Sequence, residues 1–243
     1  MLFTLVEPHR GHEVAYNRWY ERDHFYAGCM VGPWLFAGRR FVATRALKDL
    51  RFGAEADLFG GVDLGSYLAV YWILDGRHDD HVDWALRQVR WLHEHGRMFA
   101  ERDHVHTLLY RHVLTASPAD GVPAELALDH PFGGLIATVI EPAAGVALDE
   151  LRAFAQHRRP TDLALAFAPI PLPAGAPVTQ IGLDRIEGCL VDLSFSRSSA
   201  AGAWDAHRAA ANELERTGLG RVLWSAPFLP TIPGTDAYTD ELW

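Results

Sequence analysis

The 243-residue chain predicts an α+β fold in which one succession of elements, β-α-β-β-α-β, is used twice in tandem. Three observations lead there. Thr4-Leu5-Val6-Glu7-Pro8 and Thr138-Val139-Ile140-Glu141-Pro142 are nearly the same pentapeptide, each a strand-like run halted by a proline that cannot continue a ladder. After each marker, segments of strand length alternate with segments of helical period. The order of the segments is the same in both halves. That order is the ferredoxin-like unit, and a tandem pair predicts two antiparallel sheets packed together as a fused pseudo-dimeric α/β barrel.

Each element has its own warrant. Behind the first marker, residues 13 to about 28 read as a helix rich in aromatics. Leu35 to Thr44 reads as the second strand and Tyr67–Leu74 as the third. Asp79–His95 carries Val82, Ala85, Leu86, Val89 and Leu92 at amphipathic-helix spacing, and His104–Leu114 closes the half as a strand. Behind the second marker, Leu148 to about Arg159 is a helix stopped by Pro160. Leu163–Ile170 is a strand running into a proline-rich loop, and Cys189–Ser196 is another. Ala201–Thr217 is a helix and Arg221–Leu229 the last strand. Ser, Pro, Asp and Gly gather between Ser117 and Pro131, so the expected units are residues 1–117, carrying the site, and 132–243, which supports or closes the pocket.

Composition narrows the partners. A net charge of −9 argues against nucleic acid, which needs clustered Lys and Arg. Cys29 and Cys189 have no CxxC spacing and form no disulfide framework, which suits a cytoplasmic protein. No signal-like start and no apolar run of about 20 residues is visible, so no membrane partner is expected. A small hydrophobic ligand is the expected partner, and a homodimer is compatible with the pattern.

The candidate chemistry lies in the first helix. At α-helical spacing Glu13, Asn17, Tyr20 and His24 form one stripe, beside a second of Tyr16, Trp19 and Asp23. A helix packed on a sheet ordinarily shows it Leu, Val and Ala; polar groups buried there need partners, so the stripe is a wet face, a network or a site. His24 titrates near neutrality and can act as acid or base, Tyr20 one turn back can donate a hydrogen bond, and Asp23 or Asn17 can orient them.

Tyr16-Asn17-Arg18-Trp19-Tyr20 with His24, followed by Val31-Gly32-Pro33 and Gly38-Arg39-Arg40-Phe41, resembles the signature of EthD-like proteins of the dimeric α/β barrel superfamily. The motif spans about thirty residues, and the doubled element order extends the likeness weakly into the second half. The resemblance implies a pocket between sheet and helices with His24 at its mouth or wall. It also implies relatives that include cofactor-free cyclases, dehydratases, decarboxylases and lactone isomerases working on aromatic or polyketide-like compounds. The second half departs from it. Its first helix lacks the Trp-Tyr pair, and Arg158 stands where His24 would, so one site is expected, in the first half.

The string Glu-Arg-Asp-His occurs twice, at 21–24 and 101–104, in positions the repeat does not relate. The second copy opens a strand on which alternation places His104, His106, Leu108, Tyr110 and His112 on one face, with Val105, Thr107, Leu109 and Val113 on the other. His104, His106 and Tyr110, with Asn17 and Trp19, are the candidate substrate-binding residues. A lone H-x-H, even with His93, Glu94 and His95 preceding it, is a weak metal signal, and no metal or cofactor is expected. His78 and His81 read as solvated, and Cys29 as structural. The expected function is a cofactor-independent acid–base enzyme, a lyase or isomerase of dehydratase or cyclase type, acting on an apolar aromatic or polycyclic molecule. His24, Tyr20 and Asp23 would be its catalytic residues. The alternatives are a haem or metal protein resembling chlorite-dismutase barrels and a non-catalytic small-molecule binder.

Overall fold

The structure is a computed structural model and describes residues 1–55, 57–118, 121–158, 161–171 and 185–243. Among the described residues eight strands occur: β1 (Leu2–Pro8), β2 (Leu35–Val42), β3 (Tyr67–Ile73), β4 (Arg102–Ala116), β5 (Gly134–Pro142), β6 (Leu163–Ile170), β7 (Leu190–Ser196) and β8 (Gly220–Pro230). The α-helices are α1 (Glu13–Trp19), a single turn α2 (Arg45–Lys48), α3 (His78–Glu94), α4 (Leu148–Arg158) and α5 (Ala200–Arg216). Most ends fall within two residues of the sequence expectation. The ends have physical causes: Ser199 Oγ accepts from the Gly202 amide at 3.1 Å to cap α5, and Gly96 and Gly218, at φ +65° and +71°, let the chain turn left-handed just past α3 and α5. The stop at Pro160 and the proline-rich segment 172–184 lie outside the described residues, as do Ala119 and Asp120 of the expected join.

The strands close into one antiparallel barrel in the order β1-β3-β2-β8-β5-β7-β6-β4, with β4 returning to β1. Within each half the order is fourth-first-third-second strand. The halves also share an irregularity: Val105 is an extra residue in β4 opposite Leu5/Val6, and Leu223 one in β8 opposite Val139/Ile140. The two seams between halves are unequal. β4 and β6 pair over seven residues, from Leu109↔Ile170 to Ala116↔Ala164, whereas β2 and β8 pair only at Phe41↔Pro230 and Val42↔Leu229. Beyond that short seam the segment 52–55 runs along β8 instead, with Phe52 bridging Ser225.

All eight strands contribute to one apolar cluster, including Phe3, Phe41, Val70, Leu108, Leu135, Leu165, Leu193 and Phe228, which is therefore the barrel lumen. Leu47, Leu58 and Phe59 from the long β2–β3 connection, with Leu128 and Phe132, pack into it as a plug. The helices lie outside: Tyr16, Tyr20 and Cys29 cover Val6, Val42, Tyr67, Ala69 and Tyr71, while α4 and α5 cover the β5, β6 and β7 side. Strands covered on both faces lose the apolar/polar alternation, which is why Tyr67 to Trp72 is buried without a break. The chain after β8 returns over α1, where Asn17 Nδ2 donates to the Thr235 carbonyl at 2.9 Å, Arg18 pairs with Asp236, and Trp243 Nε1 donates to Glu13 at 2.6 Å. Beneath it, fully buried Lys48 holds the Leu242 carbonyl (3.1 Å) and lies 3.6 Å from Glu7, which Ser66 also binds. No helix among the described residues is long and apolar enough to cross a membrane.

Three local expectations are corrected. The first helix is α-helical only to Trp19 and continues as a π-helix from Tyr20 to Met30, closing five-residue rather than four-residue turns. The histidine strand does not keep one face: the bulge at Val105 pairs His106 with Leu5 but His104 with Val6, so His104 faces the helix layer while His106 faces the lumen. His81 is also corrected, being 3% exposed rather than solvated.

Candidate active site

The site is built on the π-helix. A five-residue turn carries His24 back over Trp19, and the two rings stack at 4.6 Å between centroids and 20° between planes. Tyr20 meets the imidazole edge-on at 5.2 Å, and Phe99 stacks on Trp19 at 5.6 Å. The ring sits over Gly28, where a Cβ would come 2.6 Å from its Cε1 and Nδ1. Only a glycine leaves that space. Trp19 is anchored by its indole N–H to the Arg97 carbonyl at 2.8 Å.

The second Glu-Arg-Asp-His copy meets the first here. The guanidinium of Arg102 lies 4.8 Å from the Trp19 ring, and its Nη2 donates to His104 Nε2 at 3.3 Å. His104 Nδ1 then donates to Thr107 Oγ1 at 3.2 Å, which fixes its neutral tautomer. Burial, reinforced by the Arg102 charge, holds His24 down to about 3 and His104 to about 4, so both are neutral at pH 7. Neither nitrogen of His24 is hydrogen-bonded to any described residue, and its Nδ1 is buried as well. An unmatched buried nitrogen of this kind costs about 1–3 kcal/mol, and set among the rings of Trp19 and Tyr20 it marks a candidate ligand position.

The partners foreseen from sequence are only partly in place. Tyr20 does not reach His24; its hydroxyl bonds that of Tyr71 at 2.9 Å, and burial raises both phenols well above 10. Asp23 is taken by Arg97, with contacts of 2.5 and 3.1 Å, and so braces the residue that anchors Trp19 rather than orienting the imidazole. Asn17 is held by Thr235 and accepts from Arg40 Nη1 at 3.0 Å. Arg40 itself is 5% exposed, lies 4.5 Å from the Tyr20 ring and 5.2 Å from that of Tyr67, and leaves its Nη2 without a partner among the described residues. Cys29 is a buried thiol pushed up to about 12 by burial, as a structural role requires.

His106 and Tyr110 form a separate pair. His106 Nε2 and the Tyr110 hydroxyl are 2.7 Å apart in the lumen, among Phe3 and Phe59. One strand thickness separates them from His24. His112 is exposed and edge-on to Phe167. His95 stacks on Trp91 at the end of α3, and no three His, Cys, Asp or Glu side chains converge as a metal site among the described residues.

Arg102, Arg40, Arg97 and Phe99 are the participants that sequence reading missed. Arg102 stood in plain view in the second Glu-Arg-Asp-His string, but its lack of a counter-ion among the described residues is a property of the folded chain.

The closed eight-stranded antiparallel wall with helices outside defines the class, an α+β barrel. No family model matches the chain, and no curated protein does. Among solved structures it is similar to the putative monooxygenase of Lactobacillus acidophilus NCFM, with 8% identity, a TM-score of 0.41, and 94% of this chain and 93% of that one covered. A likeness at that level assigns no activity; the barrel stands on its own strand pairing.

Proposed function

We propose that the protein is a small-molecule enzyme working by acid–base chemistry without a cofactor, with His24 as the group that moves the proton. The observation that supports this best is the imidazole of His24, stacked on Trp19, edge-on to Tyr20 and hydrogen-bonded to no described residue. The EthD-like resemblance of its helix points the same way. The repeated strand order and the matching bulges at Val105 and Leu223 support tandem ferredoxin-like units at residues 1–117 and 132–243. Their inequivalence supports one site: the bulge places Trp224 where the first half has His106 and Val222 where it has His104.

The ring wall of Trp19, Tyr20 and Phe99 suits an apolar, aromatic or polycyclic substrate. A neutral imidazole takes a proton from a carbon next to a carbonyl, and the C–H electron pair moves toward that carbonyl as an enolate forms. The imidazolium returns the proton to another carbon in an isomerisation or cyclisation, or to a departing hydroxide in a dehydration, which leaves as water. An imidazole held to about 3 accepts that proton only when negative charge grows beside it, and the developing enolate between His24 and Arg102 provides it. Tyr20 contributes the edge of its ring to the same wall, while its hydroxyl stays with Tyr71. Asp23 contributes through Arg97 and the indole it anchors.

The test is proton exchange. Aromatic β-diketones, hydroxyketones and lactones are incubated in D2O and followed by NMR with wild type and His24→Ala. The reading expects catalysed exchange that the variant loses by a factor of about 10²–10⁴, with the circular dichroism of the barrel retained. Equal exchange by both proteins removes His24 from the chemistry.

A further inference from the structure

We infer that the site at His24 receives its ligand through an anionic oxygen group, a carboxylate or phenolate carried on an aromatic body, with Arg102 and Arg40 as the cations that meet it. The inference rests on the acid–base reading only for the location of the site; the charge argument is separate. The chain has 31 acidic residues and a net charge of −9, and several of its arginines use that supply. Arg18 pairs with Asp236, Arg97 with Asp23, Arg185 with Glu55 and Asp57, and Arg221 with Glu141. Arg40 and Arg102 do not, and neither do Arg39 and Arg51, whose guanidiniums donate instead to three backbone carbonyls each. Among the described residues no carboxylate lies within 4.0 Å of the Arg40 or Arg102 guanidinium, although Arg40 is 5% exposed. Glu7, the buried carboxylate on this side of the sheet, is already matched by Lys48 and Ser66.

What surrounds the two cations instead is aromatic. Arg102 lies on Trp19, and Arg40 lies among Tyr16, Tyr20 and Tyr67. Cation–π contact offsets part of the cost of burying a guanidinium and leaves its N–H groups to donate. Among the described residues Arg40 Nη2 has no acceptor, and the Tyr67 hydroxyl, 3% exposed, also has no partner. Both charges act on His24, which has no hydrogen bond to any described residue. Buried donors, two unmatched positive charges and an aromatic wall together describe the complement of an aromatic oxyanion. A planar, forked guanidinium is the group that best binds a carboxylate.

Bound anion also changes what His24 can do. Cancelling the neighbouring positive charge removes one of the causes that hold the imidazole neutral, so the ligand itself raises the basicity of the proposed base.

The test compares 2-naphthoate with its neutral isostere 2-naphthamide, titrated into the full chain and followed by calorimetry and by Trp fluorescence. The expected result is at least tenfold tighter binding of 2-naphthoate. Arg102→Gln should lose that preference while 2-naphthamide changes by less than twofold, and Arg40→Lys should weaken 2-naphthoate binding. Arg102→Lys serves if the glutamine variant does not fold, with an expected loss of severalfold. Equal affinity for the two probes, failure of both to bind, or a preference unchanged in the Arg102 and Arg40 variants overturns the inference. The two readings fail separately. A lost preference with His24-dependent exchange intact removes only the anion, and a preserved preference with His24-independent exchange removes only the acid–base role.

Discussion

Acidification should loosen this protein through His24, and the size of the effect follows from its burial. In the unfolded chain an imidazole titrates near 6.5, whereas in the folded chain His24 stays neutral down to about 3. Stability from this residue is therefore fully present above pH 6.5 and is lost as the pH falls from 6.5 toward 3, because only the unfolded chain can take the proton. Each pH unit in that window is worth about 1.4 kcal/mol, so at pH 5 the loss is about 2 kcal/mol. Urea unfolding of wild type and His24→Gln at pH 7.5 and pH 5.0 isolates the contribution. His104 and His81, both held to about 4 chiefly by burial, remain in both proteins and cancel in the comparison. Wild type should lose about 2 kcal/mol more than the variant between the two pH values. Equal losses would show that the imidazole is solvated in the native state, and with it the stacked, unpartnered geometry would be wrong.

Three further substitutions probe the frame of the site. Gly28→Ala gains about 1 kcal/mol of helix propensity but puts a Cβ 2.6 Å from the His24 ring, so the ring must leave Trp19; its pKa by NMR should rise toward 6.5, and an unchanged value would show the ring is not seated over residue 28. Gly53→Ala sets a Cβ 2.1 Å from the Leu223 carbonyl at φ +148°, a clash with backbone that no rotamer relieves, and should cost about 3 kcal/mol or more in urea unfolding. Lys48→Met leaves Glu7 buried without its cation and should cost about 3–5 kcal/mol; a loss below about 1 kcal/mol would show that Ser66 alone satisfies the carboxylate.

Much of the fold was legible because a sheet covered on both faces must spend apolar residues in long runs. Tyr67–Leu74, Leu163–Ile170 and Cys189–Ser196 were such runs, and Pro8 and Pro142 marked where strands end. What stayed hidden were insertions of a fraction of a turn. Nothing in Tyr20-Glu21-Arg22-Asp23-His24 distinguishes a five-residue turn from a four-residue one, because both use the same side chains and differ only in which carbonyl each amide finds. Likewise Val105 is an ordinary strand residue until its neighbours show that it has no opposite number; one extra residue then sends His104 and His106 to different sides. His24, Tyr20 and Trp19 were recognisable by type. Their partners were not, since Asp23 could serve His24 or Arg97 equally well on paper, and the choice is made by residues that lie 74 positions away.

The unequal seams bear on how the wall of this barrel can part. A closed cylinder joined along one side by seven residue pairs and along the other by two behaves as a folded sheet with a spine and a clasp. Thermal opening should begin at Phe41 and Val42, whose amides are expected to exchange with solvent ahead of those of Leu109 to Ala116. Arg40 adjoins that clasp, its carbonyl accepting from the Thr231 amide at 3.1 Å. Loosening the clasp therefore moves one of the two cations and leaves the other on the spine-side strand, so widening of the barrel and the spacing of its charges are a single motion.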